Sequence, residues 1–430
     1  MTEQTPEAKS AKRKGWTKFL KLGRDGRAKP IFFNAELALR ESPDFQGVLA
    51  YDEFRMRVVA KRSPPWGDSL GPRWTDDHDR QALRWLQSRG IDVGEAIAVS
   101  AVQSVAVHHK FHPLREYLES LVWDERPRLQ DWLFMYLGVE HSPYSAAVAE
   151  RWLVSAVARV FRPGCKSDCC PILEGPQGLG KSTALSILGG EFYTDELDDM
   201  GSKDSSLQLL GAWIIELAEL SSYSRSGVDR VKAFMSRTTD RFRPPYGRRV
   251  IEAPRQCVFG GTVNSDTYLR DETGGRRFWP VVCTKAHLEE LRRDRDQLWA
   301  EAVVRYRAGS AWWLDTPELR YLAGEEQRAR YEGDAWEELI MPWISGRLLK
   351  EVSIGQILQD EDCLNKPSGQ WTQSDKIRIA KILKSNGWVR FNAAIGGGSD
   401  WRYRPVSGDS FQSVSSSVSS PVSSLNPLES

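Results

Sequence analysis

Long apolar runs are missing from this chain. Nothing in its 430 residues approaches the roughly 18–20 consecutive apolar positions needed to cross a bilayer. The opening stretch, MTEQTPEAKSAKRKGW, is polar and charged and lacks the hydrophobic segment of a signal peptide. A cytoplasmic location is therefore the expectation. Cysteine is scarce, with six residues, which argues against a disulfide scaffold. Three of them, Cys165, Cys169 and Cys170 in GCKSDCC, have no second Cys or His pair at ligand spacing. Structural zinc is thus disfavoured, and Cys169 and Cys170 read as reduced thiols entering a buried strand. Charge of one sign is also lacking: Lys+Arg 59 against Asp+Glu 58 leaves a net +1. Bulk charge demands no polyanionic partner, and any nucleic-acid site must be local. No internal repeat is visible.

What is present is an ordinary globular composition, 40% hydrophobic and 27% charged, in a chain long enough for several domains. Residues 1–15 read as a polar tail. An N-terminal domain of unassigned role follows over 16–120, with a helix expected from Thr75 or Asp76 to Gly90. Residues 114–160 show apolar positions at three- and four-residue spacing and read as mostly helical. They lead into a core placed at 121–325, where short apolar strands alternate with helices, the pattern of an α/β sheet with helices on both faces. Residues 326–406 change rhythm. Helical stretches precede two strands around a glycine-rich turn, as in a small winged-helix-like module. The end, 407–430, is serine-rich and expected to be disordered.

Within the core, ILEGPQGLGKST satisfies the spacing of a phosphate-binding loop. An apolar strand leads in and a helical run leads out. Gly175, Gly178 and Gly180 allow a tight turn that aims N–H groups at phosphate, across Pro176, Gln177 and Leu179. Lys181 supplies positive charge, the Ser182 hydroxyl can ligate Mg²⁺, and the helix starting near Lys181 and containing Thr183 adds its N-terminal dipole.

Such a loop needs an acid on a neighbouring strand. In GAWIIELAEL, Glu216 ends a buried run and Glu219 follows; one should serve the metal and the other the attacking water. A third strand, QCVFGGTV, ends at Asn264, where a polar side chain can meet both the γ-phosphate and the water. Thr262 and Ser265 offer similar chemistry, so the register stays open by a residue or two. DRFRPPYGRRV places Arg241, Arg243, Arg248 and Arg249 around a Pro-Pro-Tyr-Gly turn bearing Tyr246. That is a basic hairpin with one stacking ring, suited to nucleic acid. In TGGRRFW, Arg276 and Arg277 could reach a nucleotide on the next subunit as an arginine finger.

Taken in order, GPQGLGKSTAL, WIIELAEL, DRFRPPYGRR, QCVFGGTVN and GGRRFWPV resemble the virulence-associated E (VapE) proteins of phages, prophages and phage-derived islands. The resemblance is strong over roughly 110–310 and weaker in the flanks. Such proteins are similar to superfamily 3 helicases. The resemblance implies an AAA+-like ATPase core, a homo-oligomeric ring such as a hexamer, ATP and Mg²⁺ as cofactors, and single-stranded or forked DNA as partner. Host or phage replication proteins are further possible partners. It matches Lys181 and Ser182 to the Walker A element, Glu216 and Glu219 to Walker B, and Asn264 to motif C. Lys232 and Asp240 fall in the intervening segment that includes the DNA-contacting hairpin, and Arg276 or Arg277 falls in the finger region. Two departures stand out. The Walker B acids are three residues apart rather than adjacent, and the N-terminal domain has no convincing primase Asp-x-Asp pair. Asp77 and Asp79 carry that spelling at an expected helix start, where acids belong anyway.

The reading that follows is a DNA-dependent ATPase and helicase-like motor in replication of mobile DNA. The alternative is an initiator or interaction protein that uses ATP only to switch assembly. A metabolite kinase is disfavoured, since no acceptor-binding or lid pattern accompanies the loop.

Overall fold

The computed structural model describes residues 15–67, 73–197, 205–218, 225–243, 249–264, 275–330, 336–395 and 398–406. The chain divides into two compact units, Met1–Tyr331 and Glu332–Ser430. The first unit opens with a small α+β layer. A strand Leu49–Asp52 pairs antiparallel with Arg57–Ala60 and parallel with Lys110–Phe111. Helices Phe32–Glu41, Asp76–Ser88 and Glu95–His108 close a separate core containing Leu39, Phe45, Leu86 and Val102. Thr75 caps the second helix: its N–H donates to Nδ1 of His78 at 3.2 Å. Asp79 accepts from the Trp74 indole at 2.8 Å and Asp77 pairs with Arg80. Both acids thus serve the helix start.

A five-stranded parallel sheet forms the centre of this unit. Its spatial order is Phe278–Val282, Cys170–Glu174, Val258–Val263, Ile214–Leu217, Tyr193–Thr194. The strands are apolar on both faces because both faces are covered. Leu173, Ile214, Val258 and Trp279 join one core with helices Pro143–Phe161, Lys181–Gly189 and Leu288–Arg307. Cys170, Ile172, Ile215 and Phe259 join another with helix Arg225–Met235. Alternate residues of one strand thus feed opposite cores, as the two-residue period requires. Burial pushes the Cys169 thiol up to about 12.

Tryptophan is the main filler, and its polar edge is accounted for. Trp132, Trp152, Trp213 and Trp299 are fully buried, and each indole N–H donates to a backbone carbonyl. Burying such a donor unpaired would cost roughly 1–3 kcal/mol. These bonds also tie helices to strands, as Trp152 Nε1 does to the Phe259 carbonyl at 2.9 Å.

Residues 114–160 are mostly helical, as expected, but the stretch 114–137 is not continuous. Helix Pro113–Ser120 stops, and the chain runs irregularly to helix Trp132–Leu137. Pro127 lies in the break, and the buried Glu301 carboxylate takes the Arg128 and Leu129 N–H groups at 2.6 and 3.0 Å. A tertiary acceptor thereby replaces helical carbonyls.

The second unit has its own core, including Ile340, Ile357, Ile379 and Leu383. A short strand Val352–Ser353 precedes helices Ile354–Gln359 and Gln373–Ser385, each begun by a reciprocal capping box. Strands Trp388–Ile395 and Gly398–Pro405 pair antiparallel, and Val352–Ser353 adds to the second of them.

Candidate functional site

Parallel strands gather their carboxyl ends on one edge, where α/β sheets bind ligands. The strand Cys170–Glu174 leaves the sheet there through the Gly175–Ser182 loop, and helix Lys181–Gly189 follows directly. Gly175, Gly178 and Gly180 all have positive φ, of 146°, 81° and 98°. Gly175 is also sterically required, since a Cβ there would sit 2.7 Å from the Cys283 carbonyl oxygen. Pro176, Gln177 and Gly178 are exposed, Leu179 is half-buried, and Ser182 and Thr183 stand exposed at the helix start.

Lys181 is buried and bent back into the loop. Its Nζ donates to the Gly175 carbonyl at 2.6 Å, the Pro176 carbonyl at 2.9 Å and Asn264 Oδ1 at 3.1 Å. Desolvation by burial lowers its pKa; the nearby Cys283 and Glu216 oppose that shift. Asn264, just past the strand Val258–Val263, is thus in direct contact with the loop lysine.

Glu216 is 2% exposed. Its Oε1 accepts from Ser182 Oγ at 2.7 Å and Thr262 Oγ1 at 2.6 Å, and its Oε2 accepts from the Tyr193 hydroxyl. The Tyr193 pKa is raised, first by burial and then by this bond to a carboxylate. The strand Val258–Val263 lies between the loop strand and the Glu216 strand. Thr262 therefore points chemistry at Glu216, and Asn264 at Lys181. Ser265, the other neighbour considered for this position, lies outside the described residues. Tyr193 was missed, and nothing in the sequence signals it, because it comes from a two-residue edge strand.

The basic segment forms an antiparallel ribbon, Thr239–Phe242 with Ile251–Pro254. Arg241, Arg243 and Arg249 are exposed on it; Arg241 pairs across the ribbon with Glu252 at 2.6 Å. Asp240 points the other way. It is buried against Arg255, whose Nε donates to Oδ2 at 2.8 Å. Lys232 is not brought to the exposed arginines. It is 6% exposed, with Asp229 at 3.8 Å and its ammonium 5.9 Å from the Phe278 ring centroid. Tyr246, Arg248 and Glu219 lie outside the described residues.

Arg276 and Arg277 stand in a short 3-10 turn at the amino end of Phe278–Val282. Phe278 pairs with Cys170, at the far end of the loop strand from Gly175. Arg277 is tied to Asp168 at 3.2 Å and to Ser236 Oγ at 3.0 Å, whereas Arg276 is exposed.

Fold and site define a mixed α/β protein with a central parallel sheet and a glycine-rich loop, whose lysine and hydroxyl face a buried carboxylate and a carboxamide. The profile of the virulence-associated protein E-like domain matches residues 118–332, half of the chain, and the chain belongs to that family. Among solved structures, it is similar to an apo structure of the NrS-1 C-terminal region (305-718), at 12% identity and a TM-score of 0.48, covering 83% of this chain and 95% of that one. An A-form apo structure of the same region matches at 14% identity and a TM-score of 0.43, covering 83% and 96%. A search of curated proteins returned no match. No helix among the described residues is long and apolar enough to cross a membrane.

Proposed function

We propose that the chain is an ATP hydrolase with an AAA+-like phosphate-binding loop, coupling hydrolysis to DNA in a superfamily 3 helicase-like manner. One observation carries this reading. Lys181, Ser182, Glu216 and Asn264 converge from three strand ends on one sheet edge.

The donor set fits Mg-ATP. Lys181 now satisfies its ammonium on loop carbonyls, and a triphosphate in the loop offers a stronger, charged acceptor. The loop glycines and the first turn of the helix supply N–H groups to phosphate oxygens. Ser182 Oγ and the Glu216 carboxylate are hard oxygen ligands already 2.7 Å apart, as Mg²⁺ prefers. Bound there, Mg²⁺ would draw charge from the β- and γ-phosphates. Thr262 and Tyr193 keep Glu216 oriented, and the Asn264 carboxamide is placed to hold a water beside the γ-phosphate. The division of metal and base roles between Glu216 and Glu219 follows from activity measurements on each.

The arginines support assembly. Arg276 stands at the amino end of its strand and the loop at the carboxyl end of the neighbouring one, roughly 16 Å apart at about 3.3 Å per residue. Arg276 would then act on a nucleotide held by another copy, as in a ring, while Arg277 is held within its own chain. The exposed Arg241, Arg243 and Arg249 suit DNA phosphates. Buried Lys232, with its ammonium near the Phe278 ring, is better read as part of the packing between its helix and the central sheet than as contacting DNA. The second unit, with helix Gln373–Ser385 beside a hairpin bearing Arg390 and Arg404, supports a winged-helix-like DNA module.

ATPase rate with and without single-stranded DNA tests the coupling. Stimulation is expected; no stimulation together with no DNA binding at low salt would sink the reading. Lys181→Ala should abolish hydrolysis with an unchanged circular dichroism spectrum. If nucleotide drives assembly and duplex binding but strands never separate, the initiator reading replaces the motor.

A further inference from the structure

Away from the glycine loop, at the amino end of the sheet, lies a cleft of about 650 Å³. Its walls are the 162–169 segment, the start of the strand Phe278–Val282, residues Trp312–Leu314 and one side of helix Pro317–Ala329. That volume falls within the roughly 300–1,000 Å³ usual for small-molecule sites.

Its chemistry is specific. Trp312 and Trp313 meet edge to face, with centroids 5.2 Å apart at 88°. The Trp312 indole is fixed by donating to the Lys166 carbonyl at 2.9 Å, while Trp313 is 52% exposed. Trp279 lines the cleft and is 2% exposed, and its indole N–H has no partner among the described residues. That N–H is itself inaccessible, as are the unpartnered ones of Trp66 and Trp85, so Trp279 supplies apolar wall to the cleft rather than a donor. Arg162, Lys166 and Arg320 also line the cleft, exposed, with no ion pair among the described residues. Among the described residues the sole acid on the lining, Asp168, is already engaged by Arg277.

The geometry points to a second ligand site here, taking a nucleotide unit: an aromatic base against Trp313, with its phosphate among Arg162, Lys166 and Arg320. A flat ring matches an exposed indole face, and three cations without an ion pair among the described residues match an anion. An aliphatic anion would leave the indole surface unused, and a neutral aromatic would leave the cations unused. The unit can come from a free nucleotide or from single-stranded nucleic acid. The site does not depend on the glycine loop. Arg276 and Arg277 border the cleft, so a nucleotide held by a neighbouring copy's loop has to be separated from one held by the cleft itself.

The full chain carrying Lys181→Ala removes loop-bound nucleotide in every copy. Calorimetric titration of that protein with thymidine monophosphate, and separately with a short oligothymidylate, should show binding of one or both. Binding of the monophosphate assigns a free-nucleotide site; binding of the oligomer alone assigns a nucleic-acid strand. Adding Trp313→Ala or Arg320→Glu, both at exposed positions, should weaken that binding about tenfold, with an unchanged circular dichroism spectrum. Lys166→Glu serves as a third variant of the same kind. Binding present in the unmodified chain but lost with Lys181→Ala overturns the site. So does the absence of binding by both probes, or binding that none of the three cleft substitutions weakens.

Discussion

At the residue scale the most informative side chain is Glu216. A buried carboxylate needs partners to stay ionised, and it has hydroxyl donors from Ser182, Thr262 and Tyr193. Only the first was foreseeable, because it belongs to the loop motif. Thr262, which the sequence offers beside Asn264, donates to the acid. Thr262→Val removes one donor and leaves the isosteric methyl, so Glu216 loses a restraint without losing its place. The expected outcome, if Glu216 holds Mg²⁺, is a several-fold higher Mg²⁺ requirement for ATP hydrolysis with the fold intact. A titration of rate against Mg²⁺ checks it; an unchanged requirement assigns Thr262 to packing alone. Lys181 shows the same coupling of burial and function. Its lowered pKa means the fold pays to hold the ammonium, a cost that a bound anion would relieve.

At the element scale the ribbon Thr239–Pro254 shows how one strand can serve two ends. Its alternation puts Arg241 outward and Asp240 inward. The sequence made both look like members of one charged cluster. The structure separates them by burial: the Asp240–Arg255 pair is nearly inaccessible, and the Arg241–Glu252 pair is exposed. Asp240→Ala leaves Arg255 as an unpaired buried charge and is expected to cost about 3–5 kcal/mol. Arg241→Ala should change stability by less than about 1 kcal/mol while weakening DNA binding. Thermal denaturation of the two variants side by side tests the contrast; equal melting temperatures would remove it. The break between helices at 121–131 has the same origin. Helical periodicity was present in the residues, but Glu301, some 170 positions away, captures the backbone donors.

At the scale of the whole molecule, the separation between Arg276 and the loop is the consequential feature. Arg276 and the glycine loop sit at opposite ends of adjacent parallel strands, so if Arg276 serves a loop-bound nucleotide, as proposed, that nucleotide belongs to another copy. Arg276→Ala should retain ATP binding and lose most hydrolysis. Mixing it with Lys181→Ala protein should restore part of the rate, because some interfaces then pair an intact loop with an intact arginine. Zero recovery across mixing ratios, in assemblies shown to contain both variants, would count against action between copies.

The sequence by itself determined the loop, the alternation of strands and helices, and the family. Each is written in contiguous residues: glycine spacing, apolar period and ordered motif strings need no knowledge of what packs where. It also carried the small hairpin unit at the end, through capping residues and paired strands. What only the tertiary structure decided is how distant segments share a site. Strand order inserts Val258–Val263 between the loop strand and the Glu216 strand, and that insertion assigns Asn264 to Lys181 and Thr262 to Glu216. It brings in Tyr193 from an edge strand of two residues, buries Lys232 and Asp240, and opens a cleft lined by tryptophans and exposed cations at the other end of the sheet. Those outcomes depend on which strands are neighbours and which faces are covered, and neither is set by local spacing.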